Sequence, residues 1–353
     1  MTTTLTAPPT TASGPDVARG RARRAARRRT VLLVLVALLV LAFATTLTVG
    51  NTFYTPSEVV RVLVGQDVPG ASFTVGTLRL PRAVLGVLAG FAFGLAGVTF
   101  QTMLRNPLAS PDIIGISSGA SAAAVIGIVV LGLGSTQVSI LAVVGGLGVA
   151  LAVYGLSATR GGVAGTRLIL VGIGVAAMLD SVTSYVLSRA SEWDLQDAMR
   201  WLAGSLNGAR WGQILPLLVA LAVLGPLLLA QARNLAALQL GDDTAAALGV
   251  RVGATRLLLV VAAVGLVAFA TAATGPIAFV AFLAGPIAAR IVGSGGSLLL
   301  PAALVGALLV VAADLVGQFA FDTRCPVGVV TGVLGAPYLV YLIVRTHRSG
   351  GSL

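Results

Sequence analysis

Two carboxylates, Asp180 and Asp314, stand inside stretches that are otherwise apolar. A carboxylate in such surroundings is costly, so each is a candidate to carry an ion, face a polar path or hydrogen-bond one helix to another. Other reactive groups are scarce. Cys325 is the single cysteine and His347 the single histidine, and all 23 basic residues are arginine. One cysteine excludes an intrachain disulfide and any cysteine-based metal cluster, and one histidine excludes an HExxH zinc centre. A chain without lysine cannot be a conventional P-loop ATPase, whose Walker A lysine reaches the nucleotide phosphates. No metal site and no catalytic constellation is expected.

The elements that position these groups follow from composition. Of 353 residues 57% are hydrophobic and 10% charged, against about 25% charged in soluble domains. Apolar runs near 20 residues recur, the length a helix needs to cross about 30 Å of hydrocarbon. They lack the period-two alternation of a barrel wall. The expected fold is an all-α polytopic membrane protein with spans at about 30–50, 80–104, 112–133, 137–157, 167–188, 211–230, 255–273, 276–293, 297–318 and 326–344. The 44 glycines suit closely packed membrane helices.

Residues 19–29, RGRARRAARRR, hold seven arginines directly before the first span. They have neither the aromatic interleaving nor the folded context of a nucleic-acid site. They read as a positive-inside anchor, which puts the N-terminus in the cytoplasm and, after ten spans, the C-terminus as well. Residues 1–29 are expected to be a disordered basic tail, 30–345 one membrane domain and 346–353 a short cytoplasmic tail.

Polar residues interrupt the apolar pattern at few places. Arg79 and Arg82 flank Pro81 at the outer start of the second span, against the positive-inside bias. Gly86, Gly90, Gly94 and Gly97 then share one helical face, suited to close helix contact or to lining a path. Gln101, Arg105 and Asn106 close this span. Pro107 stops it, and Pro111 with Asp112 can start the next. Residues 231–253, QARNLAALQLGDDTAAALGVRVG, make a second interruption. Leu235 and Leu238 form a short apolar stripe, Gly241 a break, and Asp242 or Asp243 can cap a short helix carrying Ala245 and Leu248 that stops at Gly249. This segment is either a compact knob shaped for a groove on another protein or an amphipathic helix lying on lipid.

The first interruption, RLPR followed by a glycine-rich span and then QTMLRNPLASPDIIGISSGA, resembles the FecCD family of ABC-transporter permeases, membrane subunits that import ferric siderophores, haem and cobalamin. The similarity extends through LQLGDDTAAALGV, GPIAFVAFLAGPIAARIVG, AADLVGQ and PVGVVTGVLGAPYLVYLI, covering about residues 30–345. Two departures stand out: Ile287 occupies the family's usual histidine position, and SGGS at 294–297 replaces an acidic-basic cluster.

The resemblance implies a vitamin B12 importer permease-like fold and import of an iron chelate, with haem and cobalamin as alternatives. It implies no directly bound cofactor, since ATP and magnesium belong to two separate ATPase subunits. The other expected partners are a second permease copy or paralogue, an extracytoplasmic substrate-binding protein and the lipid bilayer. Leu238, Leu240, Gly241, Asp242, Ala245, Leu248 and Gly249 would couple to the ATPase, and Arg79, Arg82 and Arg324 would meet the binding protein. Gly90, Gly94, Gly97, Gly165, Thr166 and Asp180 would line or gate the path, while Gln101, Arg105, Asn106, Pro107 and Asp314 would be structural. A different class, an ion-coupled secondary transporter relaying through Asp180 and Asp314, would need no coupling knob.

Overall fold

The computed structural model describes residues 14–159, 162–163, 165–293 and 296–348. In chain order the helices are α1 (Gly14–Thr48), α2 (Pro56–Leu63), α3 (Leu80–Met103), α4 (Ile116–Val125), α5 (Ser135–Ser157), α6 (Gly165–Ser188), α7 (Glu192–Leu202), α8 (Trp211–Ala230), α9 (Ala232–Leu238), α10 (Asp242–Ala247), α11 (Val252–Thr274), α12 (Val280–Val292), α13 (Leu299–Phe319) and α14 (Val327–Arg348). Between α5 and α6, β1 (Ala158–Thr159) pairs antiparallel with β2 (Gly162–Val163). A π-helical turn, Ser72–Arg79, leads into α3, and another, Ile126–Val130, extends α4.

Seven helices are long and apolar enough to cross a bilayer, and Ile116–Val130, Val280–Val292 and Val327–Leu342 are shorter apolar helices. Together they match the expected spans one to one. Their alternating direction gives the bundle two ends. The rim end carries the start of α3, α7, the 203–210 connection and the 320–326 loop; the knob end carries the 104–115 turn, α9, α10 and the 293–298 corner.

The centre is α3, α11 and α13, whose most apolar windows are 78%, 72% and 67% buried, against 11% for α6. Small residues make this close packing possible. A Cβ on Gly90 or Gly94 would run into the backbone of α13 at Gly306 and Ala302, and one on Gly97 would meet Ala281 of α12. The glycine face expected to line a path is therefore a helix seam: Gly90, Gly94 and Gly97 are buried where backbones touch.

A second correction concerns the N-terminal tail. Helix begins at Gly14 and runs without interruption into the first span, so at least the second half of the segment expected to be disordered is ordered. Arg27 and Arg28 donate to the carbonyls of Ile291 (3.3 Å) and Ser297 (2.7 Å). They tie this extension to the end of α12 and to Ser297, just before α13. Residues 1–13, 294–295 and 349–353, including parts of both expected tails, lie outside the described residues.

Candidate coupling surface and buried polar groups

At the knob end, α3 ends in a backbone arrangement that stops a helix cleanly. The Asn106 N–H donates to the Gln101 carbonyl (3.0 Å) and the Arg105 N–H to the Thr102 carbonyl (3.3 Å), the paired bonds of a Schellman cap. Arg105 takes the left-handed position at φ 51°. Glycine normally fills that position, and an L-residue there costs about 1 kcal/mol. The Asn106 side chain then accepts from the Leu108 N–H (2.9 Å), and Pro107 prevents continuation. Gln101 reaches inward, donating to the Phe282 carbonyl at 2.9 Å, against Gly285, where a Cβ would collide with its amide. Gln101, Asn106 and Pro107 each shape the end of α3 through contacts inside the chain.

Pro111 and Asp112 start a 3₁₀ turn, Pro111–Ile114, and α4 begins only at Ile116, after Gly115 at φ 80°. The Asp112 carboxylate accepts hydrogen bonds from Ser110 (3.2 Å) and Ser117 (2.5 Å). Burial pushes its pKa above the ordinary value, outweighing the two hydroxyls that lower it.

The 231–253 segment folds as a two-helix knob. Leu235 and Leu238 of α9 and Ala245 of α10 are buried against the core, while Leu240 and Leu248 point away from it, 63% and 64% exposed. Apolar side chains turned outward on a short, well-anchored element fit contact with a protein groove or with lipid. Gly241 adopts φ 107°, a conformation that side-chain-bearing residues rarely take. The expected aspartate cap is absent from α10. Asp242 instead accepts from Arg256 Nη2 at 3.0 and 3.1 Å, fastening α10 to α11. Gly249, at φ 85°, closes α10 in a second Schellman cap, with the Val250 N–H on the Ala245 carbonyl (3.0 Å). The 104–115 turn and the knob, separate in sequence, meet here: a methyl group on Gly241 would lie 3.7 Å from Arg105 Nη1.

At the rim end, Asp314 is not an isolated carboxylate. Arg82 grips it in a fork, Nε–Oδ2 2.9 Å and Nη2–Oδ1 2.7 Å, and Gln318 Nε2 donates to Oδ2 at 2.8 Å. The remaining Arg82 nitrogen donates to Asn207 Oδ1 at 2.5 Å, so the network joins α3, α13 and the 203–210 connection. Asp314 is buried and Arg82 nearly so, with side chains 5% and 14% exposed. Arg79 donates to the carbonyls of Leu47 (2.9 Å), Thr48 (3.0 Å) and Thr52 (2.6 Å), capping α1, and lies over the Tyr54 ring. The guanidiniums of Arg79 and Arg82, expected to project toward a docking protein, are in this structure turned inward. Arg324 is exposed and donates to Asn51 Oδ1 at 3.0 Å.

Asp180 is exposed on α6 and, among the described residues, its carboxylate makes no hydrogen bond or ion pair. It sits among outward-facing Met178, Val182 and Tyr185, on the side of the chain away from the central helices. Gly165 and Thr166 open α6 at its knob-end start. Ile287 is partly buried and packs on the core, an apolar filler where the family's usual histidine would stand. Sequence reasoning missed Asn207 and Gln318, short polar residues with no local pattern around them. It missed equally the left-handed backbone of Arg105, because arginine is not a residue that advertises it. Among the described residues no group of histidine, cysteine, aspartate and glutamate side chains is gathered closely enough to hold a metal ion.

The model of the FecCD transport family matches residues 38–345. The ferric enterobactin transport system permease protein of Escherichia coli is 41% identical over 90% of this chain and 96% of its own length. The achromobactin transport system permease protein of Dickeya dadantii is 40% identical over 94% and 96%. A solved metal-chelate type ABC transporter in an inward-facing conformation superposes with a TM-score of 0.81 at 27% identity, over 90% of this chain and 99% of that one. Shared architecture, a family match running from within α1 to the last turn of α14 and relatives aligned nearly end to end lead to one assignment: the chain belongs to the FecCD transport family.

Proposed function

We propose that this chain is the membrane-spanning permease subunit of an ATP-binding-cassette importer that carries a ferric siderophore across the cytoplasmic membrane. The knob carries the reading: α9 and α10 are anchored by Leu235, Leu238 and Ala245 yet present Leu240 and Leu248 outward, as a docking element for a separate ATPase requires. An ion-coupled carrier has no use for such an element, and Asp314, bound to Arg82 and Gln318, is not free to relay an ion. The iron chelate follows from the ferric enterobactin and achromobactin permeases. Cobalamin is the second reading, favoured by the cobalamin import system permease protein of Halobacterium salinarum, 37% identical over 77% of this chain.

In this reading the knob end faces the cytoplasm and the rim end the binding protein. ATP and magnesium sit on two ATPase subunits, and the chain itself performs no catalysis and holds no cofactor. ATP binding and hydrolysis bias the permease between outward-open and inward-open states through contacts that differ between them. The outward face of α6, with Asp180, meets a second permease copy or paralogue and borders the path, and Gly165 and Thr166 form its inner gate. Arg324 is the rim arginine most available to an acidic docking surface.

Uptake of a labelled ferric siderophore tests the reading, comparing wild type with Gly241→Pro alongside recovery of the ATPase. The expected result is loss of both uptake and ATPase association with normal membrane insertion. Full uptake with no ATPase bound to either protein rejects it. Labelled cobalamin in the same cells separates the two cargo readings.

A further inference from the structure

Two helix ends at the knob end use the same backbone cap. α10 ends with glycine, Gly249, in the left-handed position, whereas α3 ends with Arg105 there. Glycine would satisfy the cap at Arg105 without steric conflict. The cap therefore does not explain the side chain, and the side chain has no work inside the protein: Arg105 is exposed and, among the described residues, its guanidinium makes no hydrogen bond or ion pair. Of the two acids on the knob, Asp242 is held by Arg256 and Asp243 is exposed, and among the described residues neither pairs with Arg105. The guanidinium is nevertheless placed beside Gly241, next to exposed Leu240.

We propose that Arg105 is part of the coupling surface and takes a carboxylate of the ATPase subunit. A guanidinium flanking an apolar knob supplies what Leu240 and Leu248 cannot, a directional, charge-assisted contact that fixes the angle of docking. Because Arg105 ends α3 while Gly241 divides α9 from α10, the docked ATPase would hold the knob and the end of a central helix together. Its motion would reach α3 directly as well as through the knob. This inference rests on the coupling reading proposed above.

The test uses the full-length permease co-expressed with its tagged ATPase subunit and purified in detergent, in wild type, Arg105→Gly, Arg105→Lys and Leu240→Asp forms. Arg105→Gly suits the cap, so its melting temperature should equal or exceed that of wild type. Its affinity for the ATPase should fall about tenfold, the loss expected for one charge-assisted contact. Its binding should also depend less steeply on salt, and Arg105→Lys should restore part of the salt dependence. Wild-type affinity and salt dependence in Arg105→Gly, with Leu240→Asp unable to bind, would overturn the inference and leave the coupling reading standing. Retention of the ATPase by Leu240→Asp would overturn the coupling reading and the inference with it. If Arg105→Gly binds the ATPase normally but loses a thermal stabilisation that wild type gains from phosphatidylglycerol, the guanidinium serves membrane phosphates and the inference is wrong.

Discussion

Arg82 at the rim end and Arg105 at the knob end are held in opposite ways. At the rim end Arg79, Arg82 and Asp314 are satisfied by partners within the chain, across α1, α3, α13 and the 203–210 connection. At the knob end Leu240 and Leu248 are exposed beside an Arg105 that has no mate within the described chain. The Arg82–Asp314 group is a closed network that holds helices in place. The surface around Arg105 is open, and its groups make physical sense only against something else. A buried charge left unpaired is costly, whereas an exposed one tolerates waiting for a partner.

The most severe test of the closed end is Asp314→Ala. It leaves Arg82 buried without its carboxylate, and a loss of about 3–5 kcal/mol is expected, read as a drop in melting temperature or in folded yield. The double replacement Arg82→Met with Asp314→Leu should recover much of it, because the desolvation cost disappears with both charges. If the double variant is no better than Asp314→Ala, Arg82 is not the reason that Asp314 matters. Gly94→Val comes next. Its side chain has no space against Ala302, and about 1–3 kcal/mol should be lost as α3 and α13 are pushed apart.

At the open end the two readouts should separate. Leu248→Ser should change stability by no more than about 0.5 kcal/mol, as for an ordinary surface site, while siderophore uptake falls severalfold. A melting temperature reduced as far as in Asp314→Ala would make the knob part of the core and abolish the contrast between the ends. The smallest effect is expected from Asp112→Asn. The raised pKa of Asp112 favours its protonated form in the folded protein. Its contribution to stability is therefore complete below the unfolded value near 3.8 and is lost as pH rises through the folded value. Wild type should show this loss on going from acid toward neutral pH, and Asp112→Asn should lack it. Identical pH profiles would remove Asp112 as the source.

Much of the fold is legible in the sequence because hydrocarbon imposes a length and a composition on each crossing. The seven long apolar helices and the places of the three shorter ones follow from that alone, and the knob from a polar interruption bracketed by Gly241 and Gly249. What a side chain meets across the bundle is less legible. Gly90, Gly94 and Gly97 declare a close approach by their spacing, but the same spacing suits a path wall and a helix seam, and only the position of α13 decides. Asp314 stands out as a carboxylate in an apolar run, yet the partner that neutralises it lies in another span, with a proline-flanked position that reads equally well as a docking arginine. The Arg105 cap is illegible for a different reason, since its backbone contradicts its residue type.

The ion pair between α3 and α13 also has a consequence for how the chain is made. Arg82 and Asp314 are 232 residues apart, a separation that a ribosome working at about 5–20 residues per second covers in roughly 10–50 s. For that interval α3 has emerged while its carboxylate has not been synthesised. Until α13 arrives, Arg82 must remain at the water-facing edge of the bilayer or be sheltered by the insertion machinery. The ion pair can close only after most of the 353-residue polypeptide exists, which makes it a late checkpoint in biogenesis as well as a bond in the finished protein.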